Sequence, residues 1–148
     1  MNDIKQVYEA LPSTYLQLTK EYIDITEANV EGRMLKHTSI YAFFGAVLAY
    51  AKRKQDRLVH ALEMMEAKHK ELRRGEFLSS GKKATEASLN GYIHTVPEIN
   101  ELRETFFEAQ HRYNLAKNIM SSLEHQKDML VQMSANRRAE TRMIADLN

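Results

Sequence analysis

Residues 99–130 read INELRETFFEAQHRYNLAKNIMSSLEHQKDML, and this stretch decides the fold. Its apolar positions recur at alternating steps of three and four, with one interruption at Lys127. They are Ile99, Leu102, Phe106, Ala109, Tyr113, Ala116, Met120, Leu123 and Leu130. Such a heptad pattern predicts a long helix that packs along its length against another helix.

A second stretch has the same spacing nearer the amino terminus. Lys54 and Lys68 interrupt it, and its apolar positions are Ile40, Phe44, Val47, Ala51, Leu58, Ala61, Met65 and Leu72. No stretch of the sequence alternates apolar and polar residues as a half-buried strand would. We therefore expect an all-α chain built on a long antiparallel helical hairpin of coiled-coil type, with an N-terminal helix and a short helix at the bend.

Local signals at helix ends divide the chain into segments of a single domain. Ser13, after Pro12, is a candidate cap for the first helix, and Gly75 is a candidate carboxyl-terminal cap for the second. Thr85 can cap a short helix, and Thr95–Glu98 has the form of a capping box. The predicted segments are an N-terminal helix in 1–35, a long helix over 38–74, a basic bend with a short helix over 75–95, and a long oligomerisation helix over 96–148.

Composition narrows the class of protein. The 148 residues include no cysteine, which excludes disulfides and thiolate metal sites and fits a reducing cytoplasm. The amino terminus lacks the basic and apolar regions of a signal peptide. The most apolar run, residues 40–51, is shorter than the roughly 20 residues that a membrane helix needs. We expect a cytoplasmic protein without membrane association, and a homo-oligomer, because two elongated helices bury little of their own surface.

The net charge of +1 hides blocks of opposite sign. Residues 52–83 hold ten Lys or Arg against five Asp or Glu, and residues 84–111 carry a net charge of −4. Such blocks pair neighbouring helices or subunits and concentrate a positive field at one place. Cations on a helix face and at a bend suit phosphates, and an adjacent aromatic ring can stack on an unpaired base. The candidate nucleic-acid contacts are Lys52, Arg53, Lys54, Arg57, Lys68, Lys70, Arg73, Arg74, Phe77, Lys82 and Lys83.

Two Glu-x-x-His pairs, Glu66 with His69 and Glu108 with His111, have the spacing of helical di-iron ligands. Such sites need two further helices that carry carboxylates, and the second pair lies outside the heptad positions, so we expect no metal site. No Ser, His and Asp combination and no carboxylate pair indicates catalysis. We expect no cofactor and no enzymatic activity.

The order of these features resembles the UvsY-type recombination mediators of bacteriophages. In that family a helix ends in a Leu/Arg/Lys tract, followed by an aromatic residue and a Ser-Gly turn, here Lys70–Arg74, Phe77 and Ser80-Gly81. A short helix with a Ser/Thr-Glu start, a turn and a long helix come next, here Thr85-Glu86 to Tyr92, His94 to Glu98, and Ile99 onward. The likeness covers about Ser39 to Met133, with one aromatic residue at the turn where the family typically has a pair.

The resemblance implies a ring-like homo-oligomer held by carboxyl-terminal helices. It implies binding of single-stranded DNA, of a single-strand binding protein and of a recombinase, which the oligomer helps to load in DNA recombination and repair in the host cytoplasm. On this reading the DNA contacts are Lys70, Arg73 and Arg74. The oligomer positions are Leu123, Leu130 and Met133, to which we add Met143 and Ile144 in the final turn.

A different class of protein also fits these residues. A non-enzymatic helical adaptor or assembly protein, of a phage structural or host-inhibitor type, would use the heptad positions to bind helices of another protein. Its basic tract would then be only a solvated helix face, balanced by Glu63, Glu66 and Glu71. Binding to oligonucleotides distinguishes the two hypotheses.

Overall fold

The computed structural model describes residues 3–26 and 28–146, except for the side chain of Asp146. Its helices are α1 (Ile4–Tyr22), α2 (Val30–Ser79), α3 (Glu86–Ile93) and α4 (Pro97–Asp146), and these described residues contain no strand. The prediction of an all-α chain with a packed pair of long helices is confirmed, because α2 packs against α4. Within the described part of the chain, no helix combines the length and the apolar character that crossing a bilayer requires.

The chain divides into two compact units that share the two long helices. Unit 1 contains the residues up to Tyr50 and those from Asn114 onward, and unit 2 contains Ala51–Tyr113. Each unit therefore includes one part of α2 and one part of α4. The third helix is α1 in unit 1 and the short α3 in unit 2.

Unit 1 has a continuous apolar core. The largest fully buried apolar side chains are Leu11, Val30, Phe44, Val47, Ile119 and Leu123, which come from α1, α2 and α4. Tyr8 meets Tyr50 edge to face at 5.1 Å between ring centroids, and Tyr22 meets Phe44 at 5.6 Å. Aromatic pairs of this geometry add to the stabilisation that burial provides.

A buried amide ties α1 to α4 in unit 1. The Gln126 side-chain nitrogen donates to the carbonyl oxygens of Tyr22 at 3.0 Å and Ile23 at 2.7 Å. These carbonyls belong to the end of α1, where no further turn can satisfy them. Gln126 therefore acts as a carboxyl-terminal cap supplied from another helix.

The predicted heptad positions of α4 face the core. Ile99, Ala109, Ala116, Met120, Leu123 and Leu130 are all buried. Leu123 and Leu130 are already enclosed within a single chain, so they have almost no surface left with which to contact a second copy. Of the predicted oligomer positions, Met133 is half-buried, and Met143 and Ile144 remain 67% and 63% exposed.

Unit 2 has a smaller core around α3 and the start of α4. Ile93, Val96 and Ile99 form its buried centre, and Leu62, Met65 and Tyr92 pack against them. The predicted seam of α2 is only partly correct here, because Ala61 and Leu72 are exposed. Leu62 takes the inward position next to Ala61.

The first helix begins earlier than predicted, at Ile4 with Asp3 as its cap, and Pro12 lies inside it. Ser13 is not a cap, since its hydroxyl donates to the Ala10 carbonyl of the same helix. Val7, Tyr8 and Leu11 are buried on one side of the helix. Packing of this face outweighs the backbone hydrogen bond that Pro12 cannot donate.

The second helix also extends beyond its predicted bounds, because it starts at Val30 and continues through Gly75 to Ser79. The glycine that ends it is Gly81, whose φ of +69° is unfavourable for other residues. Gly81 N–H donates to Leu78 carbonyl oxygen and Lys82 N–H to Phe77 carbonyl oxygen, which is a Schellman motif. The prediction of Gly75 as the cap was therefore wrong.

The starts of the last two helices lie close to their predicted positions. Thr85 caps α3 as predicted, in a capping box whose partner is Ser88. Pro97 is the first residue of α4, and the Val96 carbonyl accepts from Asn100 N–H. The Thr95 hydroxyl donates back to Tyr92 at 2.7 Å, so Val96 rather than Thr95 occupies the cap position.

Candidate nucleic-acid interface

The predicted basic contacts form two groups in unit 2, one on α2 and one at the end of α2 and in the turn that follows it. The first group is Lys52, Arg53, Lys54 and Arg57, and the second is Lys68, Lys70, Arg73, Arg74, Phe77, Lys82 and Lys83. Eleven residues separate Arg57 from Lys68, which is about 16 Å at the rise of an α-helix. The structure therefore does not bring all predicted contacts to one place.

In the first group, Lys52 is already engaged. Lys52 Nζ donates to Asp56 Oδ1 at 2.7 Å and lies 5.7 Å from the centroid of the Tyr113 ring. The hydrogen bond with Asp56 raises the pKa of Lys52 above its usual value. Lys54 is half-buried, whereas Arg53 and Arg57 are exposed and form no ion pair with the described residues.

The centre of the second group is a stacked arginine. The Arg73 guanidinium carbon lies 5.0 Å from the centroids of both the Phe77 and the Tyr92 rings. Arg73 Nη1 also donates to Glu76 at 2.5 Å. Stacking on two rings fixes a side chain that would otherwise sample many rotamers. Arg73, Phe77 and Tyr92 thus form an ordered platform, which we call the arginine stack.

Arg74 has a structural role. Its guanidinium contacts Glu86 of α3 at 2.6 Å and Glu71 at 3.5 Å. The hydrogen bond with Glu86 raises the pKa of Arg74 further above its usual value. Since Glu86 is the first residue of α3, this pair connects the end of α2 to the start of α3, and its positive charge is largely balanced.

Three lysines of the second group carry unbalanced charge, Lys70 within α2 and Lys82 and Lys83 in the turn between α2 and α3. Lys70, Lys82 and Lys83 form no ion pair with the residues that the structure describes. Lys82 and Lys83 are exposed, and they follow Gly81 in the Schellman motif. We call Lys70, Lys82 and Lys83 the turn lysines.

Tyr92 belongs to this site although the sequence did not indicate it. It follows Leu89 by three residues, and Leu89 and Ile93 are the buried positions of α3. Residues three apart share a helix face. The burial of Leu89 therefore directs Tyr92 toward α2, and this periodicity is the signal that would have identified it.

The glutamates of the two Glu-x-x-His pairs form ion pairs with arginines. Glu66 bonds to Arg103 at 2.6 Å, and Glu108 bonds to Arg112 at 3.4 Å. Over residues 3–26 and 28–146, no three potential ligands among His, Asp and Glu come together as a metal site would require. These carboxylates serve as partners of arginines in unit 2.

Comparison with known proteins assigns the chain to no family. No protein-family model matches the chain, and neither a curated protein nor a solved structure shows similarity to it.

Proposed function

We propose that this chain is a non-enzymatic recombination mediator, which binds single-stranded DNA and helps to load a recombinase in place of a single-strand binding protein. The observation that carries the DNA-binding part is that the turn lysines flank the arginine stack along the chain, with Lys70 three residues before Arg73 and the Lys82 N–H bonded to the Phe77 carbonyl oxygen. The recombinase and the single-strand binding protein come into the proposal from the resemblance alone.

Single strands suit this site better than duplexes do. Backbone phosphates of a flexible strand can follow the lysines around a turn, and an unpaired base can stack beside ordered aromatic side chains. Because Phe77 and Tyr92 already stack on Arg73, a base would extend this platform rather than meet a free ring.

Assembly would strengthen a weak individual site. Several turn sites on one oligomer bind one strand with an effective concentration that a single copy lacks. In this proposal the oligomer acts in the cytoplasm of the host cell. A strand held at many weak points can pass from one protein to another without the use of a nucleotide.

The end of α4 favours assembly under either functional hypothesis. Residues 135–145 are helical and exposed, and Met143 and Ile144 are among their large apolar side chains. Exposed apolar side chains on a helix are typical of a surface that binds another protein. An adaptor that presents this segment to another protein is therefore the second candidate function.

The test of DNA binding replaces the turn lysines by glutamine, as K70Q/K82Q/K83Q. We expect affinity for a single-stranded oligonucleotide to fall roughly tenfold or more. The slope of log K against log salt should become shallower by about 2, since each phosphate contact on a single strand contributes about 0.7. Fluorescence anisotropy over a salt series, with matched single and double strands, measures both quantities.

The matched control is K20Q/K36Q/K117Q, which removes the same charge from exposed positions of unit 1. The control should keep the single-strand preference and the salt slope of the unmodified chain. Equal losses of affinity in both variants would show that the effect depends only on net charge. No binding by the unmodified chain at low salt would refute the proposal.

A further inference from the structure

Unit 2 carries an exposed stripe on α2 that combines positive charge with apolar side chains. Its members are Arg57, Ala61, Met64, Lys68 and Leu72, spaced by four, three, four and four residues. This spacing places them on one side of the helix. Met64 and Leu72 are 61% and 57% exposed, although the spacing is that of a packed helix. We call these residues the basic α2 stripe.

A recess of about 660 Å³ lies at the middle of this stripe. Its lining is Ala61, Met64, Met65, Lys68, His69 and Glu98, so it is mainly apolar with charged groups at its edge. Exposed apolar surface with a polar rim is typical of protein interaction sites. The recess can receive a large side chain from a partner.

A second exposed stripe of unit 2, on α4, has the opposite charge. It consists of Glu101, Glu104, Phe107 and Glu108, which we call the acidic α4 stripe. Phe107 is 55% exposed and stands among the three carboxylates. Glu108 is balanced by Arg112, whereas Glu101 and Glu104 form no ion pair with the described residues.

We propose that the acidic α4 stripe of one copy binds the basic α2 stripe of the next copy, with Phe107 seated in the recess. The two surfaces are complementary in charge, and each presents apolar side chains that a single chain leaves exposed. One chain carries both surfaces, so the partner is a second copy of this chain.

The pairing of unlike surfaces determines the kind of assembly. Two basic stripes would repel each other, as would two acidic ones, so a contact between like stripes is disfavoured. A head-to-tail contact leaves one stripe of each kind free on every dimer, and it therefore continues into a ring or a filament. The contact would cover Arg57 and Lys68 and leave the turn lysines open.

The experiment reverses the charge of each stripe separately in the full chain. R57E/K68E makes the α2 stripe acidic, and E101K/E104K makes the α4 stripe basic. We expect each variant alone to show less than half of the mass of the unmodified assembly by analytical ultracentrifugation at low salt. An equimolar mixture of the two should regain the larger mass, because the two retained stripes pair with each other and the two reversed stripes are again opposite in charge.

The matched control is K82E/K83E, which makes the same change in charge outside the stripe and should keep the full mass. Unchanged mass in either stripe variant, or a mixture that does not regain mass, overturns the proposal, as does a monomeric unmodified chain. Should circular dichroism show a loss of helix, R57Q/K68Q and F107A replace the reversals, with the same loss of mass expected. Because DNA binding is measured on the turn lysines, the two proposals can fail independently.

Discussion

The two halves of α2 share one heptad pattern but differ in how much of it they bury. In unit 1, Phe44 and Val47 lie in the core with at most 1% of their surface exposed. From position 51 to 79, Ala51 alone is buried, and residues such as Leu58 and Met65 are only half-buried. A periodic apolar pattern therefore shows which side of a helix packs, whereas the length of the neighbouring helices decides how completely it packs.

The third helix accounts for this difference. In unit 1, α1 is 19 residues long and contributes Val7, Tyr8 and Leu11 to the core. In unit 2, α3 has 8 residues, and its buried side chains are Leu89 and Ile93. A short helix cannot cover the remaining length of α2, so unit 2 retains apolar surface that a partner can bury.

The largest expected effect follows from removing apolar side chains at equivalent heptad positions in the two halves of α2. Phe44→Ala should lower the free energy of unfolding by about 3 to 5 kcal/mol, because it removes a buried ring and leaves a cavity. Leu72→Ala should change it by less than about 0.5 kcal/mol in the isolated chain, because its side chain is already in water. Urea unfolding followed by circular dichroism measures both values.

A comparable loss from the two substitutions would contradict this comparison, since it would mean that Leu72 is buried in solution. The measurement should be made at a concentration where the chain is monomeric, and repeated where it is assembled. An effect of Leu72→Ala that appears only in the assembly would support the basic α2 stripe as an interface.

The sequence predicts the long helices well and the ends of α2 poorly. Ile99, Ala116 and Leu123 are buried as expected, because a heptad pattern over many turns has few alternative arrangements. The sequence predicts Gly75 as the cap of α2, but the glycine that ends the helix is Gly81. Only the backbone bonds of Lys82 and Gly81 distinguish them, and those form once the whole turn is in place.

The candidate site was only partly predictable for a related reason. Sequence shows how many cations a segment contains, but not which of them already have partners. Arg74 and Lys52 are engaged by Glu86 and Asp56, whereas Lys82 and Lys83 are not, and these pairings depend on side-chain positions across the fold. Local charge counts therefore overstate the positive field of the tract.

A smaller effect is expected from the ion pair that joins α2 to α4 in unit 2. Glu66 and Arg103 are 2.6 Å apart, and both side chains are largely shielded from solvent. Glu66→Gln should cost about 1 kcal/mol at low salt and less in 1 M salt, where charges are screened within about 3 Å. Hydrogen exchange of the amides around Leu62 and Met65 locates the loss in unit 2.

Glu63→Gln is the matched control, because Glu63 is exposed one turn away and forms no ion pair with the described residues. It should leave the exchange rates unchanged. A loss of equal size in both variants, or one that is insensitive to salt, would show that the Glu66–Arg103 pair does not stabilise unit 2.

The smallest expected effect is a pH dependence in unit 1. The Tyr41 hydroxyl donates to Glu124 Oε1 at 3.1 Å, and this hydrogen bond raises the pKa of Tyr41 above its usual value of about 10. The neutral phenol is thus favoured in the folded chain. Its contribution to stability is complete below a pH of about 10 and is lost as the pH rises through the higher pKa of the folded state.

Tyr41→Phe should therefore flatten the fall in stability above a pH of about 10 and leave the slope near neutral pH unchanged. Glu124→Gln should have the same effect, because it removes the carboxylate that raises the pKa of Tyr41. A residual alkaline slope is expected in both variants, since burial raises the pKa of Tyr22 as well. Urea midpoints measured from neutral to alkaline pH would refute this account if both variants kept the full slope of the unmodified chain.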